Sequence, residues 1–147
     1  MLTTFKATAK KTPVGLQVAT ESRGFQITMD EPKEMGGTDT GMNPVEALLC
    51  SLGACQTIVC MAFAKQKNFS FEEMFIELEG DLDPDGFLGK NPDVRNGFQN
   101  VRFTFHFKTN ETQEKCEEFV KFVESTCPVG DCLANTVPLS CAGVVRY

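Results

Sequence analysis

From Phe5 to Asp30 the chain runs in short apolar–polar alternations broken at Pro13, Gly15 and Gly24, with Phe25, Ile27 and Met29 on one side of the last run. A period of two with turn residues at the breaks predicts an N-terminal β-meander. The stretch EPKEMGGTDTGM is rich in Gly, Asp and Thr and reads as a loop. At Asn43-Pro44-Val45-Glu46 the pattern changes. Asn is a good N-cap, Pro suits the first helical position and Glu at the third can reach back to the cap. The helix opened there is predicted to run to about Lys67. Its apolar residues lie nearly all round, which marks a buried central helix.

Phe71–Leu82 and Phe98–Lys108 read as two long strands. In the second, Val101, Phe103, Phe105 and Phe107 point one way and Arg102, Thr104, His106 and Lys108 the other. The connection 83–97 carries Pro84, Gly86, Gly89, Pro92 and Gly97 and is expected to be a long turn-rich excursion. Asn110 with Gln113 is expected to begin a second helix, whose apolar stripe is Cys116, Phe119, Val120 and Val123. Cys127-Pro128 opens a short helical turn to about Ala134, and a strand is predicted from Val137 to Arg146. The element types define an α+β fold, and 147 residues suit one domain, 1–147, with one core.

Composition narrows the function. With 41% hydrophobic and 23% charged residues the chain is expected to fold. The opening MLTTFKATAKK has no apolar h-region, and no uninterrupted apolar run reaches the roughly 18 residues of a membrane span. A cytoplasmic protein without a membrane partner is the expectation. A net charge of -6 repels phosphate backbones, so nucleic acid is not an expected partner. Seven cysteines cannot all close into intramolecular disulfides. In a reducing compartment their uses are packing, metal binding or redox chemistry.

Cys55 sits in SLGACQ, where Gly53 and Ala54 leave room for another segment or a ligand. It reads equally as a reactive or a buried packing thiol. Cys127, beside Pro128 at a helix start, lies where free N–H groups and the helix dipole favour a thiolate. Cys50, Cys55 and Cys60 are spaced by five, each turned about 140° from the last, so they cannot share a metal-binding face. Cys50, Cys60, Cys116 and Cys141 read as core residues, and Cys132 as a packing residue or a spare resolving thiol. There are no paired CxxC units for zinc, and the single histidine, His106, is mid-strand, solvent-facing and without a catalytic partner by sequence. Asp81-Leu82-Asp83-Pro84-Asp85-Gly86 echoes a calcium loop, but Pro92 stands where its last ligand, a Glu, belongs, so it reads as a solvated turn. No metal and no bound cofactor are expected.

Asn43-Pro44, Cys55 twelve positions after the Asn, and the distant Cys127-Pro128-Val129 together resemble the family of osmotically inducible protein C and the organic hydroperoxide resistance proteins. With the order of elements, the resemblance covers essentially the whole chain. It implies an intertwined homodimer with a site at each subunit interface. It also implies Cys55 as peroxidatic cysteine, Cys127 as resolving cysteine, an organic hydroperoxide substrate, and a small-thiol or lipoyl-type dithiol reductant. Arg23, on the meander, reads equally as the counterpart of the arginine that the family's peroxidases place beside the thiolate and as a surface strand arginine. Those peroxidases carry Glu directly after Asn-Pro; here Val45 stands there and Glu46 follows, about 100° further round the helix. Glu46 is therefore either a site residue or the capping partner of Asn43, and the chain resembles less characterised branches. Three readings remain: a thiol peroxidase, a redox-sensing or small-ligand-binding protein, and a dimer with packing cysteines.

Overall fold

The structure is a computed structural model that describes residues 1–147. Its elements are β1 (Thr8–Lys11), β2 (Val18–Ser22), β3 (Phe25–Met29), a 3-10 turn at Lys33–Met35, α1 (Pro44–Phe63), β4 (Glu73–Asp81), α2 (Pro84–Phe87), β5 (Asn100–Lys108), α3 (Gln113–Thr126) and α4 (Pro128–Ala134). They form two compact units, Met1–Cys50 and Ser51–Tyr147.

In the first unit β1, β2 and β3 make an antiparallel meander, with Ser22 opposite Phe25 across a two-residue turn. Arg23 and Gly24 occupy that turn with φ of 53° and 87°, the positive-φ pair that a tight hairpin following the strand twist requires. The loop after β3 wraps around Asp30, which is 2% exposed. Its carboxylate accepts the N–H of Glu31 (2.8 Å), the N–H and hydroxyl of Thr38 (3.1 and 2.5 Å) and those of Thr40 (3.2 and 2.8 Å). A Cβ at Gly37 would lie 1.8 Å from the Glu31 carbonyl oxygen, so the wrap needs glycine there.

Bonding from Thr38 first, and then from Glu31 and Thr40, outweighs burial and holds the Asp30 carboxyl well below its ordinary value of 3.8. A carboxyl depressed in the folded state contributes stability above its unfolded pKa, and loses it as pH falls toward the folded one. Asp30→Asn is therefore expected to lower the urea midpoint at neutral pH, with the gap to wild type narrowing below about pH 4. An equal deficit at both pH values would assign the loss to something other than the ionised carboxylate.

In the second unit β4 and β5 pair antiparallel from Glu73↔Lys108 to Asp81↔Asn100. Met74, Ile76 and Leu78 share the inner face with Phe103, Phe105 and Phe107, while the outer face carries ion pairs such as Arg102 with Glu79 (2.7 Å) and Asp81 (2.5 Å). Val59 and Cys60 of α1, Phe69, and Phe119 and Val123 of α3 form the buried core against that inner face. Gly53 admits β4 to α1, since a Cβ there would meet Leu78 Cδ1 at 2.7 Å.

Several boundaries move from the sequence-based expectation, each for a local reason. α1 ends at Phe63 rather than near Lys67. Asn68 takes a left-handed φ of 52° and the Phe69 N–H bonds the Ala64 carbonyl at 2.9 Å, a Schellman-type stop that turns Phe69 into the core. Thr112, not Asn110, caps α3, its hydroxyl accepting the Lys115 N–H at 3.2 Å. The excursion 83–97 contains the short α2, capped by Asp83 with Pro84 in its first turn. α1 is apolar all round, yet buries one side only: Leu52, Gly53, Gln56, Val59 and Cys60 are covered, while Ile58 and Met61 are 60% and 59% exposed. It is the one helix long and apolar enough, by length and composition, to cross a membrane. The predicted strand Val137–Arg146 is not a strand here: it pairs with nothing in the chain and is exposed throughout. Alternation equips a segment for a sheet, but only a neighbouring strand's hydrogen bonds make it one.

Candidate functional site: the Cys55–Cys127 thiol pair

Two helix junctions set the second thiol. Cys127 closes α3, its N–H bonding the Val123 carbonyl at 2.9 Å, and opens α4, its sulfur accepting the Gly130 N–H at 3.3 Å. Pro128 can follow directly because the first helical position needs no N–H. Held from both sides, the Cys127 side chain is 1% exposed. α1 supplies the first thiol, Cys55, which is half-buried. Leu52, one turn earlier on α1, reaches α4: a Cβ at Gly130 would lie 3.7 Å from Leu52 Cδ1 and 3.5 Å from Cys127 Sγ.

The Cys55 thiol is near enough to Cys127 to raise its pKa. Every cysteine is a free thiol. Burial is the main cause pushing the Cys127 thiol above its ordinary value of 9.0, with Cys55 adding to it, while the Gly130 and Val129 N–H groups pull the other way. The helix start at Cys127 led to the opposite expectation, a thiol shifted down. Its N–H donors are present, but desolvation and the second sulfur outweigh them. Cys55→Ala is accordingly expected to lower the Cys127 pKa, read from the pH dependence of the Cys127 Cβ chemical shift. An unchanged pKa would mean that burial acts alone.

A partly exposed thiol beside a buried, protonated one suits a two-step oxidation. An oxidant reaching Cys55 converts its thiolate to a sulfenic acid. The Cys127 sulfur can then attack the Cys55 sulfur, forming an S–S bond while its proton leaves with the hydroxyl as water.

Arg23 lies in the first unit at the β2–β3 turn, its guanidinium 5.4 Å from the Phe25 ring centroid. Glu46 is engaged in the capping box: its carboxylate accepts the Asn43 N–H at 2.8 Å and its own N–H is accepted by the Asn43 side chain at 2.9 Å. Of the thiols read as core, Cys60 is buried, with burial pushing its pKa to about 11, and Cys116 is half-buried, whereas Cys50 and Cys141 are exposed. Cys132, read mainly as packing, is exposed as well. They correct the expectation because a small apolar side chain carries no mark of which helix face or chain segment other residues will cover. His106 lies on the outer, partly exposed face of β5, its Nε2 2.8 Å from Glu77 Oε2 and its ring stacked on Phe75 at 4.3 Å. No three His, Cys, Asp or Glu side chains are grouped to hold a metal ion.

Sequence reasoning missed Leu52, Gly130 and Gln56. Gln56 is 1% exposed and its Oε1 has no hydrogen-bond partner. Its only signal was a polar residue on the buried stripe of α1, one turn after Leu52.

A sequence profile described as OsmC-like protein matches residues 37–142. The hydroperoxide reductase of Mycoplasma genitalium is 31% identical over 117 residues, 78% of this chain and 77% of that protein. The hydroperoxide reductase of Mycoplasma pneumoniae is 30% identical over 119 residues, again 78% and 77%. Among solved structures, an OsmC-like protein from Mycoplasma pneumoniae superposes with a TM-score of 0.78 at 23% identity, covering 92% of this chain and 91% of that one. An organic hydroperoxide resistance protein from Vibrio cholerae, with captopril bound in one of its active sites, gives a TM-score of 0.65 at 20% identity over 92% and 88%. At these identities the structural likenesses carry the fold.

Proposed function

Because this chain belongs to the OsmC-like protein family, we propose that it reduces organic hydroperoxides through a Cys55–Cys127 thiol–disulfide cycle. The observation that carries the reading is the placement of a half-buried Cys55 thiol against the buried Cys127 thiol. The Cys55 thiolate attacks the peroxide O–O bond and takes one oxygen as a sulfenic acid, and the other leaves with a proton as the alcohol. Cys127 condenses with it, releasing water, and a small-thiol or lipoyl-type dithiol returns both sulfurs to thiols while itself becoming a disulfide. Arg23 is retained as the source of positive charge favouring the thiolate, and Glu46 keeps its capping role. The chain works as a single domain, in the cytoplasm, in a homodimer. The apolar Ile58 and Met61 of α1, and Phe25 and Ile27 of β3, all more than half exposed in one chain, support a second copy.

The test is to treat reduced protein with one equivalent of cumene hydroperoxide or of hydrogen peroxide and to map the cysteines by mass spectrometry without reductant. A Cys55–Cys127 disulfide that forms faster with the organic peroxide is expected. The capping role of Glu46, with Val45 before it, favours one alternative, a redox sensor. Stoichiometric oxidation without turnover in the presence of a dithiol would establish that alternative, and no oxidation at Cys55 would overturn both.

A further inference from the structure

Gln56 is 1% exposed, and its Oε1 is the only buried side-chain oxygen or nitrogen without a hydrogen-bond partner. Buried polar atoms are nearly always paired, because an unpaired one has lost its bonds to water and gained nothing for them. A methionine, close to glutamine in length and carrying no such atom, would avoid the loss.

Neighbours on α1 set the level of this oxygen in the fold. The covered side of the helix is Leu52, Gly53, Gln56, Val59 and Cys60. Leu52, one turn before Gln56, reaches the start of α4, its Cδ1 lying 3.7 Å from where a Cβ on Gly130 would stand. Val59 and Cys60, about one turn after it, pack with Phe119 and Val123 of α3. Gly130 comes three residues after Cys127 and Val123 four before it. The covered side of α1 therefore passes the α3–α4 junction in the reverse order of numbering, and Gln56 falls at the level of Cys127, with Cys55 next to it in the chain.

The reaction at that junction gives the oxygen a use. Cys127 is 1% exposed, so its thiol must release a proton out of contact with solvent. As its sulfur bonds to the sulfur of Cys55 sulfenic acid, positive charge develops on the S–H hydrogen. An amide oxygen is a fixed, neutral acceptor that stabilises such charge without taking the proton.

We propose that Gln56 Oε1 accepts the hydrogen bond of the Cys127 S–H while this thiol attacks Cys55 sulfenic acid, and so speeds the resolving step. The S–S bond forms as the Cys55 S–O bond breaks, the Cys127 proton leaves with the hydroxyl as water, and Gln56 gains and loses no atom. In the reduced chain Oε1 is unpaired, so the bond is made only as the reaction proceeds. That is the condition for an interaction to accelerate a step instead of stabilising its starting state. This role rests on the Cys55–Cys127 cycle above and adds a third side chain to it.

Reduced wild type, Gln56→Met and Gln56→Glu are each mixed with one equivalent of cumene hydroperoxide at a fixed dimedone concentration, quenched at intervals, and read by mass spectrometry for Cys55 thiol, Cys55–dimedone adduct and Cys55–Cys127 disulfide. Gln56→Met is expected to lose the Cys55 thiol at the wild-type rate, while its ratio of disulfide to dimedone adduct falls ~10-fold, as suits one hydrogen bond lost from the transition state. Its urea midpoint should equal or exceed that of wild type, since the unpaired oxygen is gone; a packing role would not combine a slower step with undiminished stability. Gln56→Glu, which keeps an oxygen at the same reach, is expected to restore the ratio. A wild-type ratio in Gln56→Met would overturn the proposal and leave the peroxidase reading standing. Slower thiol loss in Gln56→Met, or a low ratio in both variants, would overturn it as well, by making Gln56 a packing residue. If Cys55 of the wild type were not oxidised, the peroxidase reading would fall and this role with it.

Discussion

Cys55→Ser is expected to cut hydroperoxide turnover by ~100-fold or more, because a serine hydroxyl at neutral pH lacks the nucleophilicity of a thiolate. Cys127→Ser should behave differently. With Cys55 intact the first equivalent of peroxide is still consumed, but the sulfenic acid has lost the thiol placed against it and should persist long enough for dimedone to trap it. Turnover then depends on how fast an external thiol reaches a half-buried sulfur. The comparison separates the two sulfurs by role, which a disulfide map cannot do. If the two variants lost activity in the same manner, with no trapped sulfenic acid in Cys127→Ser, the assignment of Cys55 as the attacking thiol would fail.

The largest stability effect is expected at Phe119. Its side chain is 4% exposed, its ring stacks on Phe69 at a centroid distance of 4.2 Å, and the Phe107 and Phe122 rings lie at 6.2 and 6.4 Å. Removing it takes one ring from the middle of an aromatic stack, and the β4–β5 sheet and two helices around it can close the gap only in part. Phe119→Ala should therefore cost about 3–5 kcal/mol, the range for large-to-alanine changes in a packed core. Against a total stability of about 5–15 kcal/mol, that shift should move the urea midpoint strongly and lower Tm by on the order of 10 °C. Phe75→Ala is the matched control: its ring is also stacked, on His106, but is 57% exposed, so most of its surface already meets water. A loss of less than about 1 kcal/mol for Phe119→Ala would mean that the core around Phe69 is not packed as described.

How far the sequence could be read depended on whether the signal was local. The capping box at Asn43 and Glu46 was legible because cap, proline and carboxylate sit within four residues and need only each other. The alternation in β5 was legible for the same reason, and its partner strand confirms which face is inner. α1 illustrates the limit. Its all-round apolar pattern states that water is to be excluded, but not by what, and within one chain only the Leu52–Cys60 side is covered. The Asp30 wrap was invisible, because nothing marks one aspartate among many as the residue around which two threonines eight and ten positions later will close. The thiol pair was half legible: each cysteine could be placed on its element, but their pairing came from resemblance until the fold was in hand.

Taken alone, then, the sequence determined the elements: a meander broken at Gly24, a helix opened by Asn43-Pro44, two long strands, and a cysteine at the start of a short helix. Propensity, capping and periodicity act over a few residues and are written in order along the chain. The tertiary structure alone decided which sulfur meets which, and the direction of the Cys127 shift, since desolvation and a neighbouring thiol depend on segments 72 positions apart in sequence. It also decided that residues 137–147 have no strand beside them in their own chain, because a β-strand is completed by hydrogen bonds to a neighbour and not by its own pattern.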